Sequence, residues 1–364
     1  MKAKERLTSL DVFRGITIGA MIIVNYPGTW SHVYAPLLHK PWHGITPTDL
    51  IFPFFLFIVG ISIVLAFNKQ VTSGELLPKT HRKILWRSLK IFAVGIFLHL
   101  WPMFNFEELR IAGVLQRIAI VFAVCAVLFL KTSWKTQTIV MAGILVLYWL
   151  AMVLIPTPGY GKPMLEPGAN LAAWVDSYLT PGRLFWETWD PEGLFSTLPS
   201  IATGISGMLI GKIMVSDLSH ERKIIWLFFW GVVGCVIGYV WGLVFPLNKP
   251  IWTSSYVMAT SGMASLALAA LYFVIDLQKI KTGTKPWLIL GTNAITVYFL
   301  AGVLAFPFYS LPIGGMALNQ HAMELLTGIG FAPKLASFTY AAFFLGVLFI
   351  PSAILYRNKI FIKL

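Results

Sequence analysis

Charge is scarce in this chain. Only 12% of its 364 residues are Asp, Glu, Lys or Arg, against roughly 25% in an ordinary soluble protein. That shortage excludes a polar-surfaced soluble fold over most of the length. Cysteine is nearly absent as well. Cys125 and Cys235 each sit inside an apolar run and read as small core residues. Neither belongs to a CxxC or Cys/His spacing, so no metal is expected. There is no low-complexity stretch and no convincing internal repeat. No polar segment is long enough to fold alone, which leaves a single domain over residues 1–364. No small-residue cleavage site follows the basic start (Lys2, Lys4, Arg6), so the first apolar segment reads as a retained helix and not as a removed signal peptide.

What is present in quantity is apolar. Hydrophobic residues make up 57% of the chain, with a mean hydropathy of +0.75. They recur in blocks of about 20, the length of a helix that crosses about 30 Å of hydrocarbon. The pattern predicts an all-α, polytopic membrane bundle of about ten transmembrane helices. They fall near residues 10–28, 48–68, 86–103, 111–130, 136–155, 194–215, 224–245, 255–276, 287–307 and 335–356. A formal charge of +13 in a soluble protein would point to nucleic acid. Here the basic residues mark cytoplasmic loops instead. One alternate set of connections, both tails included, holds 19 of the 28 Lys and Arg, and the opposite set holds 6. That ratio predicts both termini in the cytoplasm and the loops carrying His39 and His43, 156–193 and 246–254 outside. The 156–193 segment, rich in Pro, Gly and Trp, reads as an extracytoplasmic lid.

Titratable and polar residues gather at that outer face. Asn25 ends the first span in VNYPG, and LHKPWHGITPTDLIFPFFLFIVG brings His39, His43 and Asp49 just before the second. Histidine exchanges a proton near neutral pH and suits general acid/base work on an amine or hydroxyl. An asparagine amide can donate to a developing oxyanion. The bland alternative is a wetted loop. Asp49 reads first as a helix cap and otherwise as a substrate contact. In LRIAGVLQRIA, Arg110 and Arg117 stand seven apart on one helix face beside Gln116. Arg117 falls about 10 Å below the outer surface, where a charge faces either a polar cavity or a structural carboxylate. Asp190 and Glu192 in WDPEG either satisfy a helix dipole or hold a cationic, polyhydroxylated ligand. PLNKPIWTSSYV gathers Lys249, Trp252 and Ser255, which fits a sugar site or an ordinary capped interfacial helix. On the cytoplasmic side, Asp11 and Arg14 form either a local ion pair or a contact for an anionic ligand. Asn293 reads as an interhelical hydrogen bond.

SLDVFRG, VNYPG, HKPWHG, TPTDLIFPFFLFIVG, RIAGVLQR, DPEG, PLNKPIWTSSYV and GTNAITVY follow one another in the order found in the heparan-α-glucosaminide N-acetyltransferase family. The chain resembles the catalytic membrane core of that family from about residue 6 to residue 300, as a bacterial relative in an inner membrane. The resemblance implies acetyl transfer from cytoplasmic acetyl-CoA, a co-substrate, to the amino group of an extracytoplasmic glucosamine-type sugar or glycan. It aligns the active histidine with His39 through the pattern H-x-x-W-[NH]-G and a neighbouring asparagine with Asn25. His43 replaces an asparagine of the lysosomal enzyme. The resemblance also implies a homodimer, and it places Asp11, Arg14 and Asn293 at the donor. No nucleic acid is expected as a partner. The competing class is a transporter of amino sugars or anhydro-sugars. Such carriers often show inverted repeats and broken helices, and neither is legible in the sequence.

Overall fold

The computed structural model describes residues 7–74 and 79–362. The basic start at Lys2, Lys4 and Arg6 lies outside the described residues. The chain divides into two compact units. Nearly all of it is helical. Backbone polar groups in hydrocarbon must be paired within the segment, and helices do that.

One unit comprises residues 1–40, 46–51 and 271–364. It holds α1 (Thr8–Asn25), α10 (Lys285–Thr292), α11 (Ala294–Tyr309), α12 (Leu318–Gly328) and α13 (Pro333–Arg357). α1 packs against α10, α11 and α13. The α1–α10 crossing is very close: a side chain on Gly15 would strike the Trp287 carbonyl, and one on Gly291 would strike that of Asp11. Small residues at such crossings let backbones approach and gain dispersion contacts. A hairpin joins Pro312–Ile313 to Met316–Ala317. Its turn is Gly314–Gly315, both at positive φ, as tight hairpins demand.

The other unit comprises residues 41–45 and 52–270. α2 (Ile51–Ser73) enters it from its second residue. Then come α3 (Thr80–Leu100), α4 (Val114–Lys131), α5 (Trp134–Leu154), α6 (Leu171–Leu179), α7 (Leu194–Val215), α8 (His220–Gly242) and α9 (Ser254–Leu271). α7 is central: it packs on α4, α5, α6 and α8, and Gly207 lets it meet the Phe57 carbonyl of α2. Local chemistry sets several helix starts. Ser133, Asn170 and Ser219 each accept a backbone N–H from the first turn of α5, α6 and α8, the cap residues favoured there.

Among the described residues eight helices are long and apolar enough to cross a membrane. The protein is integral to a membrane. The expected third span corresponds to α3, whose basic start keeps it out of that set. The expected ninth is not one straight helix: α10 and α11 meet at an 80° bend. The break falls at Asn293, whose backbone leaves helical geometry. The lid is ordered. Arg110 pairs with Gly182 and Trp186 with Trp189 as isolated bridges, and α6 lies within it.

Candidate active site

In the first unit, Thr46 begins a short turn at Pro47–Leu50 and forms a capping box with Asp49. Asp49 Oδ2 accepts from the Thr46 backbone N–H at 2.9 Å and from that of Lys40 at 3.1 Å. Its other oxygen lies 2.7 Å from His39 Nδ1. The Asp49 side chain is 1% exposed and that of His39 45%. Asp49 therefore caps, as expected, and also orients a histidine, which the sequence did not reveal. A carboxylate accepts, so Nδ1 carries the hydrogen and Nε2 is the basic nitrogen of the neutral ring. A Thr46 hydroxyl 2.7 Å from the Leu38 carbonyl anchors the strand that carries His39. Asn25 is the last residue of α1 and is exposed.

At the other end of α1, Arg14 Nη1 donates to Asp11 Oδ1 at 3.0 Å and approaches the Gly291 carbonyl at 3.4 Å. Asn293 is buried. Its amide donates to the Ile360 carbonyl at 3.0 Å and accepts from the Ile362 N–H at 2.9 Å. Asn293 thus clamps the tail across the α10–α11 break. Of the three residues expected at the donor, Arg14 is the one cation, and it is paired with Asp11.

His43 falls in the second unit. Its Nδ1 lies 3.3 Å from Asn248 Nδ2, while Asn248 Oδ1 accepts from Ile251 N–H. The amide nitrogen therefore faces the ring, and His43 accepts. Burial lowers the His43 pKa, opposed by the charge of Glu166. The neighbouring Trp42 donates to the Leu165 carbonyl and packs edge-on against Trp189.

Arg110, Asp190 and Glu192 are brought together. Arg110 Nε and Nη2 grip both oxygens of Asp190 at 2.7 and 2.6 Å, and Nη2 also reaches Glu192 at 2.6 Å. Its guanidinium carbon sits 4.8 Å from the centre of the Phe185 ring. Burial pulls the Arg110 pKa down, but the hydrogen bonds it donates to Asp190 and the two carboxylate charges raise it overall. Arg117 is 1% exposed. Its Nη2 donates to the Gly193 carbonyl and Ser196 Oγ, and its charge lies 5.1 Å from the centre of the Trp252 ring. No carboxylate directly ion-pairs it among the described contacts. Trp252 is fully buried, with its indole N–H on Thr203, at φ +49. One face is covered by Arg117, and Phe52 and Tyr256 meet it edge-on. Ser255 is buried and donates to the Phe245 carbonyl. Lys249 is half-buried, and its carbonyl accepts from Trp252 N–H. Gln116 is buried between α3 and α4, against Gly95.

Asp176 was not singled out by the sequence. It accepts from Phe195 N–H at 3.0 Å and stands where a side chain on Gly193 would be, so it caps α7. Burial pushes its carboxyl up to about 6. Its only sequence signal is an acid on the inner face of an amphipathic nine-residue segment.

The family model described as "Heparan-alpha-glucosaminide N-acetyltransferase, catalytic" matches residues 6–239. Two similar curated proteins carry the name heparan-alpha-glucosaminide N-acetyltransferase. The one from Mus musculus is 30% identical over 366 residues, covering 84% of this chain and 55% of the relative. The one from Homo sapiens is 30% identical over 421 residues, covering 99% of this chain and 60% of the relative. The chain spans between half and two thirds of the length of these relatives.

Proposed function

Because this chain belongs to the heparan-α-glucosaminide N-acetyltransferase catalytic family, we propose that it is a transmembrane acyltransferase. It moves an acetyl group from cytoplasmic acetyl-CoA to the amine of an extracytoplasmic, glucosamine-type sugar. The observation that carries this reading is the 2.7 Å contact of His39 Nδ1 with a buried carboxylate. An imidazole held in that tautomer has Nε2 as its basic nitrogen.

In the proposed step the sugar nitrogen attacks the thioester carbonyl carbon. His39 Nε2 takes the N–H proton as the C–N bond forms. Asp49 stabilises the resulting imidazolium and keeps the ring oriented, the role a buried acid plays beside a catalytic histidine. The Asn25 amide donates to the oxyanion. Collapse breaks the C–S bond, and the proton passes from His39 to the departing CoA sulfur. The products are an N-acetyl sugar and free CoA. Arg14 is assigned to a CoA phosphate. Asp190, Glu192 and Arg110 are assigned to the acceptor, with the carboxylates favouring an amine over a neutral sugar. Both units are assigned to one acyltransferase domain over residues 1–364. The basic-residue asymmetry supports both termini in the cytoplasm and placement in a bacterial inner membrane.

The test is the rate of glucosamine acetylation by purified protein. His39→Ala is expected to lose about 10²–10⁴-fold, the span of general acid–base catalysis. A rate equal to wild type would end the proposal. One observation favours a second reading, transport of an amino sugar: α10 and α11 form a broken helix, a device carriers use at binding sites. Uptake of glucosamine into proteoliposomes without acetyl-CoA would support it.

A further inference from the structure

The last turn of α3 holds a histidine outside every motif discussed so far. His99 Nδ1 stands 2.6 Å from the Arg110 carbonyl oxygen. A carbonyl only accepts, so Nδ1 carries the hydrogen and Nε2 of the neutral ring presents a lone pair. His99 as a residue is exposed, and Nε2 is its available acceptor.

Gly113, just before α4, has no side chain at the point where His99 and Gln116 converge. A Cβ there would lie 2.6 Å from His99 Cε1, 2.7 Å from Gln116 Oε1 and 3.0 Å from His99 Nε2. Gln116 is 3% exposed. Neither its amide oxygen nor its amide nitrogen has a hydrogen-bond partner among the described residues. Buried amides are ordinarily paired, because an unpaired one keeps the full cost of leaving water. The charges that reach His99 are those of Arg110, Asp190 and Glu192, one positive against two negative.

Two acceptors that converge on one glycine beside surplus negative charge call for a donor-rich cation. We propose that His99 Nε2 and the Gln116 amide form a binding subsite for a primary amine, which gives one N–H to the imidazole and another to Gln116 Oε1. The Gln116 nitrogen remains to donate to an adjacent hydroxyl. For an amino sugar this subsite holds the unmodified amine and rejects the acetylated one, which has a single N–H and no charge. No transfer step is assigned to it. The subsite rests on the proposed acetyl transfer only for the identity of the amine.

The experiment is calorimetric binding of D-glucosamine to the purified full chain in detergent, without acetyl-CoA, with N-acetylglucosamine as comparator. His99→Asn keeps a donor for the Arg110 carbonyl and deletes Nε2. Gln116→Met keeps the length and deletes the amide. Each is expected to weaken glucosamine binding about tenfold, the effect of one lost hydrogen bond to a charged group, and to leave N-acetylglucosamine binding as it was. Glucosamine affinity within twofold of wild type in a folded variant overturns the subsite, and so does an equal loss for both sugars. If His99→Asn does not fold, Gln116→Met decides alone. His39→Ala separates the two readings: it is expected to keep glucosamine affinity while losing turnover. An active His39→Ala ends the acetyl-transfer reading, whereas unchanged binding in the Gln116 and His99 variants ends only the subsite.

Discussion

His39 and His43 are four residues apart and tied in opposite senses. His39 gives its Nδ1 hydrogen to a buried carboxylate at 2.7 Å. His43 receives a hydrogen at Nδ1 from the Asn248 amide at 3.3 Å. The first arrangement makes Nε2 the basic nitrogen and backs the ring with a negative charge. The second occupies the lone pair at Nδ1, puts the ring hydrogen on Nε2, and favours the neutral ring. They also fall in different structural units, which divide between them at Pro41. A motif with two histidines thus contains one candidate base and one neutral hydrogen-bonding ring, and the partner of Nδ1 decides which is which.

The contrast predicts unequal damage. Against the loss expected for His39→Ala, His43→Ala is expected to keep acetylation within about fivefold, the scale of one neutral hydrogen bond; matched loss of rate in the two variants would break the comparison. Asp49→Asn sharpens it. An amide cannot stabilise the imidazolium and can donate to Nδ1, which turns the ring to the wrong tautomer. The rate is expected to fall by about 10² or more with KM little changed, as when the acid beside a catalytic histidine is neutralised. Steady-state kinetics on purified protein reads both constants.

The two ion-pair environments that tie residues 108–110 to the 156–193 segment differ in the same instructive way. Arg110 is clamped by two carboxylates, with side-chain exposures of 17%, 0% and 11%, while Arg183 meets Glu108 in the open. Arg110→Ala leaves buried charge uncompensated and is expected to destabilise by about 3–5 kcal/mol. Arg183→Ala is expected to cost about 1 kcal/mol or less. Thermal unfolding in detergent measures both.

The smallest effects are in pH dependence, and they run in opposite directions for His43 and Asp176. The folded state lowers the His43 pKa, so the unfolded chain binds the proton more readily. Stability tied to His43 is present above the ordinary histidine value of about 6.5 and fades as pH falls below it. The folded state raises Asp176 from 3.8 to about 6. Its stabilising contribution is present in acid and fades as pH rises through that window. Melting curves from pH 4 to 8 should lose the first slope in His43→Gln and the second in Asp176→Asn.

The spans and their order were legible because apolar blocks of membrane length have few other uses. α7 begins and ends where the apolar pattern placed it, at residues 194 and 215. The family was legible because its motifs occur in register. Partnership was not. Asp49 could be read as a cap, but nothing in TPTDL shows that the chain folds back ten residues to set His39 on its second oxygen. The WDPEG acids read equally well as dipole partners or ligand contacts until Arg110 was found between them. The cluster around Trp252 read as a sugar site or as an ordinary capped interfacial helix, and nothing in PLNKPIWTSSYV shows that Arg117 lies over the ring. The break at Asn293 was missed because GTNAITVY contains no proline, and the tail that pairs with its amide lies about 70 residues away.

The most direct measurement is product formation by the purified chain in detergent, where no closed compartment exists. With acetyl-CoA and glucosamine, equal amounts of free CoA thiol and N-acetylglucosamine are expected from wild type, formed about 10²–10⁴-fold more slowly by His39→Ala. No product from folded wild-type protein, together with glucosamine uptake into proteoliposomes lacking acetyl-CoA, would contradict the account and make the chain a carrier.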